Sequence, residues 1–132
     1  MTATKPPVFL WIVAGLGLIW NLMGCLNFIA QMNPDTVAQM PEAYQIIITG
    51  RPAWATAAFA FAVFGGAVGC ILLLMRYRVA VPVLVLSLAG IAVTGVFSTL
   101  IVGVVPSMVL SLLVGGALLW YATIARRSGW LR

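Results

Sequence analysis

The stretch that decides the fold is residues 79–125, which read VAVPVLVLSLAGIAVTGVFSTLIVGVVPSMVLSLLVGGALLWYATIA. None of these 47 residues carries a charge, and Arg78 and Arg126 bound them. A bilayer core about 30 Å thick takes roughly 20 apolar residues of helix, so the stretch is long enough for two spans. Because Gly-Val-Val-Pro near its middle suits a break between helices, we predict transmembrane helices over residues 79–102 and 107–125.

Two further uncharged stretches, of 29 and 24 residues, precede it. Each is long enough for one span, and we place these spans at residues 8–30 and 54–75. The intervening loop, residues 31–53, contains two helix start signals, Asn33-Pro34-Asp35 and Pro41-Glu42. The prediction for residues 1–132 is therefore one all-α domain, an integral membrane bundle of four transmembrane helices with a short outer helical loop between the first two.

The basic residues indicate the orientation of the chain. In this assignment one side of the membrane carries six of them, Lys5, Arg76, Arg78, Arg126, Arg127 and Arg132, and the other side carries Arg51. The positive-inside rule then places both termini in the cytoplasm. Basic residues at span ends fix topology and can contact anionic lipid headgroups. Since they form no patch, nucleic acid is excluded as a partner.

The first and third predicted spans each carry polar residues along one face. The set is Trp20, Asn21, Asn27 and Gln31 in the first span, with Ser87 and Thr94 in the third. Amides in a bilayer need partners, so these faces should point into the bundle. These residues either form hydrogen bonds between helices or line a site for a neutral, hydrogen-bonding solute, with Trp20 as a stacking surface.

Small residues at helical spacing mark the predicted packing faces. They are Gly17, Gly24, Gly65, Gly69, Ser111 and Gly115. Such residues let helix backbones approach closely within one chain or between copies. A homo-oligomer, or a complex with another membrane protein, is the corresponding prediction.

Several chemistries have no residues to support them. The sequence has no histidine, and no acid or base lies inside a predicted span, which removes the usual metal ligand, general base and proton relay. Cys25 and Cys70 fall at different depths, too far apart for a disulfide. We therefore predict no catalytic, metal or cofactor site and no enzyme. Leu22-Met23-Gly24-Cys25 leaves one alternative, a lipoprotein-type processing site at Cys25.

A family resemblance rests on two motifs. One is the run of residues 54–74, WATAAFAFAVFGGAVGCILLL, with the arginine turn after it, and the other is Trp20-Asn21-x-x-Gly24. Together they resemble small bacterial four-span membrane proteins commonly labelled sugar transporters. The resemblance implies a bacterial inner-membrane protein and a sugar as the solute.

Two functions follow as predictions. The first is a non-enzymatic accessory or interaction subunit, packed in the lipid bilayer against itself or another membrane protein. The alternative is a small uncoupled transporter for a neutral solute such as a sugar, working as an oligomer. In that case Trp20, Asn21 and Asn27 would bind the solute.

Overall fold

The computed structural model describes residues 6–131, and over that range the chain is helical, with no strand. The described residues form six helices: α1 Val8–Ala30, α2 Pro34–Ala38, α3 Glu42–Gly50, α4 Ala53–Leu74, α5 Ala80–Val102 and α6 Pro106–Arg127. Within the described residues, α1, α4, α5 and α6 are long and apolar enough to cross a membrane. The prediction of an all-α, four-span bundle with a short helical loop is confirmed.

The helix bounds differ from the predicted spans by one or two residues at several ends. The largest difference is at α6, which continues to Arg127. Arginine can extend its aliphatic stem along apolar surface and keep its charge in water, so a helix can run beyond the last apolar residue.

The four long helices pack in a bent row. Helix α4 packs most extensively against α5 and also against α1, while α5 packs against α6. Helices α1 and α6 stand at the two ends of this row and meet where Phe9 packs edge-on against Tyr121, but elsewhere they have few contacts. Toward the end of the bundle that holds α2 and α3, a gap separates α1 from α6. We call the end that holds α2 and α3 the loop end, and the opposite end the terminal end.

Small residues bring α4 and α5 together. A Cβ added at Gly90 would lie 2.6 Å from the carbonyl oxygen of Ala58 and 2.8 Å from the amide nitrogen of Ala62. Ser87, one turn away, donates its hydroxyl to the carbonyl oxygen of Ala62 at 2.6 Å. This approach leaves no room for a side chain at Gly90, so α5 presents its Ser87–Ser98 face to the bundle.

The terminal end is closed by an apolar cluster. Leu10 of α1 and Leu73 of α4 are fully buried there, and they pack with the nearly buried Leu84, Tyr121 and Leu131. The α4–α5 turn is held over this cluster because the Arg76 Nε donates to the carbonyl oxygen of Trp130 at 2.9 Å. The connection from α5 to α6 lies at the loop end, where Gly103 adopts a φ of 83° that disfavours other residues.

Candidate solute-binding cavity

A cavity of about 320 Å³ lies in the loop-end half of the bundle. Helices α1, α3, α4, α5 and α6 all contribute to its wall, and its position coincides with the gap between α1 and α6. Its polar lining consists of Asn21, Asn27, Gln31, Tyr44, Arg51, Thr94, Ser107 and Ser111, and its aromatic lining includes Trp20 and Phe59. Ligand sites in proteins are commonly of this kind, mostly apolar with a few placed polar groups.

Asn21 forms the deep end of the α1 wall. Its amide donates to the carbonyl oxygen of Gly17 at 2.8 Å and approaches the Cys70 sulfur at 3.8 Å. Its Oδ1 occupies the space where a side chain at Gly66 would stand. The Asn21 amide is therefore engaged within the bundle, as an interhelical contact requires.

Asn27 and Gln31 lie nearer the loop end on the same face of α1. The Gln31 Nε2 donates to the Asn27 Oδ1 at 3.3 Å, and the Gln31 Oε1 accepts from the Arg51 Nη2 at 2.9 Å. Gln31 thereby connects the polar face of α1 to the α3–α4 connection. Together, the Asn27 and Gln31 amides orient the Arg51 guanidinium at the cavity wall.

Arg51 follows α3 and is half-buried beside the cavity. Its Nε donates to the Thr56 hydroxyl at 3.2 Å, and its guanidinium carbon lies 5.2 Å from the centre of the Phe59 ring. Burial lowers the pKa of Arg51 from its ordinary value, but an arginine side chain stays charged at neutral pH. Among residues 6–131, Arg51 has neutral partners and no carboxylate within salt-bridge distance.

Thr94 supplies a buried hydroxyl on the α5 side. The residue is 5% exposed, lines the cavity, and its Oγ1 has no hydrogen-bond partner. The Oγ1 atom itself is almost inaccessible to solvent and, like the Ser98 Oγ and the Tyr121 hydroxyl, is an unpaired buried group that costs about 1–3 kcal/mol. Ser87, two turns away on the same face of α5, differs because its hydroxyl is already bonded to α4.

Helix α3 covers the cavity at the loop end. Its Ile47 is buried, and the Tyr44 hydroxyl and the Ser107 Oγ lie 2.6 Å apart, joining α3 to the first turn of α6. Because α3 has otherwise few contacts with the bundle, this hydrogen bond sets how firmly the helix closes the gap.

Tyr44→Phe tests the role of that hydrogen bond. The substitution removes the bond to Ser107 and should cost about 1 kcal/mol. We expect roughly five-fold faster amide exchange in α3, measured by hydrogen–deuterium exchange, with the four long helices unchanged. Thr49→Val, which removes a hydroxyl bonded only within α3, is the matched control. Equal exchange in the two variants would mean that Tyr44 does not hold α3 in place.

The cavity narrows sharply toward the middle of the bundle. A void of about 10 Å³ lies beyond it, lined by Asn21, Ser87 and Ser111 among others. A space of this size holds about one water molecule at most. The apolar cluster around Leu10 and Leu73 lies further on and closes the terminal end. The bundle thus has a polar cavity toward one end and a packed core toward the other.

The structure brings most of the predicted polar face together around the cavity. Trp20, Asn21, Asn27, Gln31 and Thr94 line it, whereas Ser87 lines the small void. Two residues predicted for helix packing, Gly24 and Ser111, are also in the cavity wall.

The remaining predicted residues lie elsewhere. A Cβ added at Gly17, Gly69 or Gly115 would meet leucine or isoleucine side chains of neighbouring helices, and one added at Gly65 would lie 3.4 Å from the Ser87 Cβ. Its neighbour Gly66 occupies the tighter position, against Asn21. The four arginines predicted to fix topology lie at the terminal end. Arg76 and Arg78 follow α4, which ends at Leu74, and Arg126 and Arg127 are the last two residues of α6.

Sequence reasoning missed Arg51, Tyr44, Phe59 and Ser107 as lining residues. Arg51 carried the one usable signal, since it is the lone basic residue on its side of the predicted topology. A basic residue on the side of the membrane that carries few basic residues is a reason to examine its surroundings.

No metal-binding cluster of three His, Cys, Asp or Glu residues occurs within residues 6–131. Cys25 and Cys70 are both unpaired and buried. Cys25 lies within the continuous helix α1, in the half nearer the loop end, and packs against Val63 and Ala67. Comparison with protein-family models, curated proteins and solved structures finds no match to the chain.

Proposed function

We propose that this multi-pass membrane protein binds a small, hydroxyl-bearing solute in the loop-end cavity, as the loading step of an uncoupled transporter. The mixed wall of the cavity carries this proposal, because amides, hydroxyls and aromatic rings from five helices surround an open space of about 320 Å³. Asn27 and Gln31 offer amide contacts, and Trp20 offers an aromatic surface. The volume suits a solute of about monosaccharide size.

The cavity favours solute binding over the accessory role. A surface that only packs against another helix needs small and apolar residues, as the α4–α5 contact illustrates. The wall of the cavity instead combines a guanidinium, amides, hydroxyls and aromatic rings around an open space. The accessory subunit and the oligomer therefore stay predictions from the sequence.

The closed terminal end supports an alternating-access cycle. A solute in the cavity meets the apolar cluster around Leu10 and Leu73 before it reaches the other side. Transport would require that cluster to open while α3 covers the loop end. The spans carry no internal acid or base, so the proposed cycle is driven by the solute gradient and not by protons.

Blocking the cavity tests this function. Ser111 lies in the cavity wall, and the adjacent Leu112 is exposed on the outer surface of α6. We expect proteoliposomes containing the natural chain to take up at least one of labelled glucose, glucuronate and glucose 6-phosphate. Ser111→Trp should reduce that uptake at least ten-fold because the indole fills the cavity, whereas Leu112→Trp should leave it within two-fold.

Two results would contradict the function. Equal uptake by the Ser111→Trp and Leu112→Trp proteins would place the route outside the cavity. Absence of uptake, together with a stable complex between this chain and another membrane protein in native mass spectrometry, would favour the accessory role.

A further inference from the structure

Arg51 is the feature of the cavity that a neutral solute leaves unexplained. Among the described residues it is the one basic side chain at the loop end, since Arg76, Arg78, Arg126 and Arg127 lie at the terminal end. It is half-buried in the wall of the cavity. A structural role in orientation would be served as well by a fully exposed arginine, which pays no desolvation cost.

The guanidinium is held in position but is not neutralised. Gln31 and Thr56 accept hydrogen bonds from two of its N–H groups, and the Phe59 ring lies beside it. A guanidinium has five N–H donors, so three remain without a partner within the described chain. Asp35 and Glu42, the two acids of the chain, are exposed and form no ion pair with it.

This arrangement matches the recognition of an oxyanion. A planar guanidinium donates two parallel hydrogen bonds to a carboxylate or phosphate, and such charge-assisted bonds are stronger than neutral ones. Side-chain partners that fix the orientation of the guanidinium reduce the entropy lost on binding. A partly desolvated charge without a counterion gains more from an incoming anion than an exposed one does.

We propose that Arg51 binds the phosphate or carboxylate group of the solute, so that the cavity takes a hydroxylated organic anion such as a sugar acid or sugar phosphate. The inference rests on the proposed function and assigns its substrate class. The anionic group lies at the loop end against Arg51, and the hydroxyl groups extend deeper into the cavity toward Ser111. The headgroup of an anionic lipid entering between α1 and α6 presents the same chemistry.

Binding of matched probes tests the inference. The protein is placed in phosphatidylcholine nanodiscs and titrated with glucose, glucuronate and glucose 6-phosphate by calorimetry. We expect at least one of the two anions to bind ten-fold more tightly than glucose. Arg51→Gln should remove the preference and Arg51→Lys should retain part of it. Arg126→Gln, an equal loss of charge at an exposed site of the terminal end, should leave it unchanged.

A second arm identifies the source of the anion. If phosphatidylglycerol in the nanodisc competes with the probes or raises the melting temperature, and Arg51→Gln abolishes that effect, the lipid headgroup is the ligand and the anion site is supported. Glucose that binds as tightly as the anions, or a preference that survives Arg51→Gln, overturns the inference. So does the lack of any Arg51-dependent binding of these probes, including phosphatidylglycerol.

The two proposals can fail separately. Glucose uptake that is blocked by Ser111→Trp but shows no preference for anions would keep the transport function and reject the anion site. Arg51-dependent phosphatidylglycerol binding without any solute uptake would reject transport and keep the anion site.

Discussion

Gly90→Ala should lower the melting temperature of the purified protein by roughly 10 °C, corresponding to a loss of about 2–3 kcal/mol. The added methyl group would stand 2.6 Å from the Ala58 carbonyl oxygen and 2.8 Å from the Ala62 nitrogen. These are backbone atoms, so no side-chain rotation relieves the overlap and α4 must move away from α5. The same movement lengthens the 2.6 Å hydrogen bond from Ser87 to Ala62.

Gly95→Ala is the matched control for this substitution. Gly95 lies in the same helix, and a Cβ built there meets nothing within 4 Å. In an α-helix alanine is favoured over glycine by about 1 kcal/mol, so Gly95→Ala should leave the protein equally or slightly more stable. The two substitutions are chemically identical, and only Gly90→Ala should destabilise the protein because only Gly90 faces another backbone.

The natural cysteines provide the readout for these melts. Cys25 is 7% exposed and Cys70 is fully buried, so a thiol-reactive fluorescent dye should label them only as the bundle opens. The temperature of half-maximal labelling then reports unfolding in detergent without an added probe. Closely similar midpoints for Gly90→Ala and Gly95→Ala would show that α4 and α5 are not packed as described.

The charge-free stretches predicted the spans well because a bilayer imposes the same rule on every helix. Twenty or so residues must be apolar, and charges collect at the ends. The buried face of α5 was also predictable, since Ser87, Gly90, Thr94 and Ser98 follow one another at helical spacing and all four are buried. These features depend on local sequence alone.

The choice between neighbouring glycines depended on tertiary packing. Gly65 and Gly66 are adjacent, and both fit a pattern of small residues. The Asn21 side chain of α1 enters the space beside Gly66, while a Cβ added at Gly65 would lie at an ordinary contact distance of 3.4 Å from Ser87. The angle at which three helices meet decides this, and no spacing within α4 encodes it.

The cavity itself was beyond prediction from sequence because it results from contacts that do not form. Helices α1 and α6 touch only lightly, and the side chains around the resulting gap come from five helices. Arg51 reaches Gln31 across 20 residues of sequence, a pairing that depends on where α3 lies. The polar residues of α1 indicated a site or a packing face, and the gap beside them favours the site.

A labelling experiment on α6 tests the existence of a water-filled cavity most directly. Ser111 and Leu112 are adjacent and lie at nearly the same depth, but Ser111 lines the cavity whereas Leu112 is 47% exposed on the outside of the bundle. Ser111→Cys and Leu112→Cys are each treated, in nanodiscs, with a charged methanethiosulfonate reagent that does not enter lipid. The natural chain, with both cysteines buried, gives the baseline.

Thiols react with this reagent as thiolates, which form in water and not in hydrocarbon. We expect rapid labelling of Ser111→Cys, at least ten-fold faster than that of Leu112→Cys, which should stay close to the baseline. Labelling of Ser111→Cys no faster than that of Leu112→Cys would mean that no water-filled cavity lies between α1 and α6.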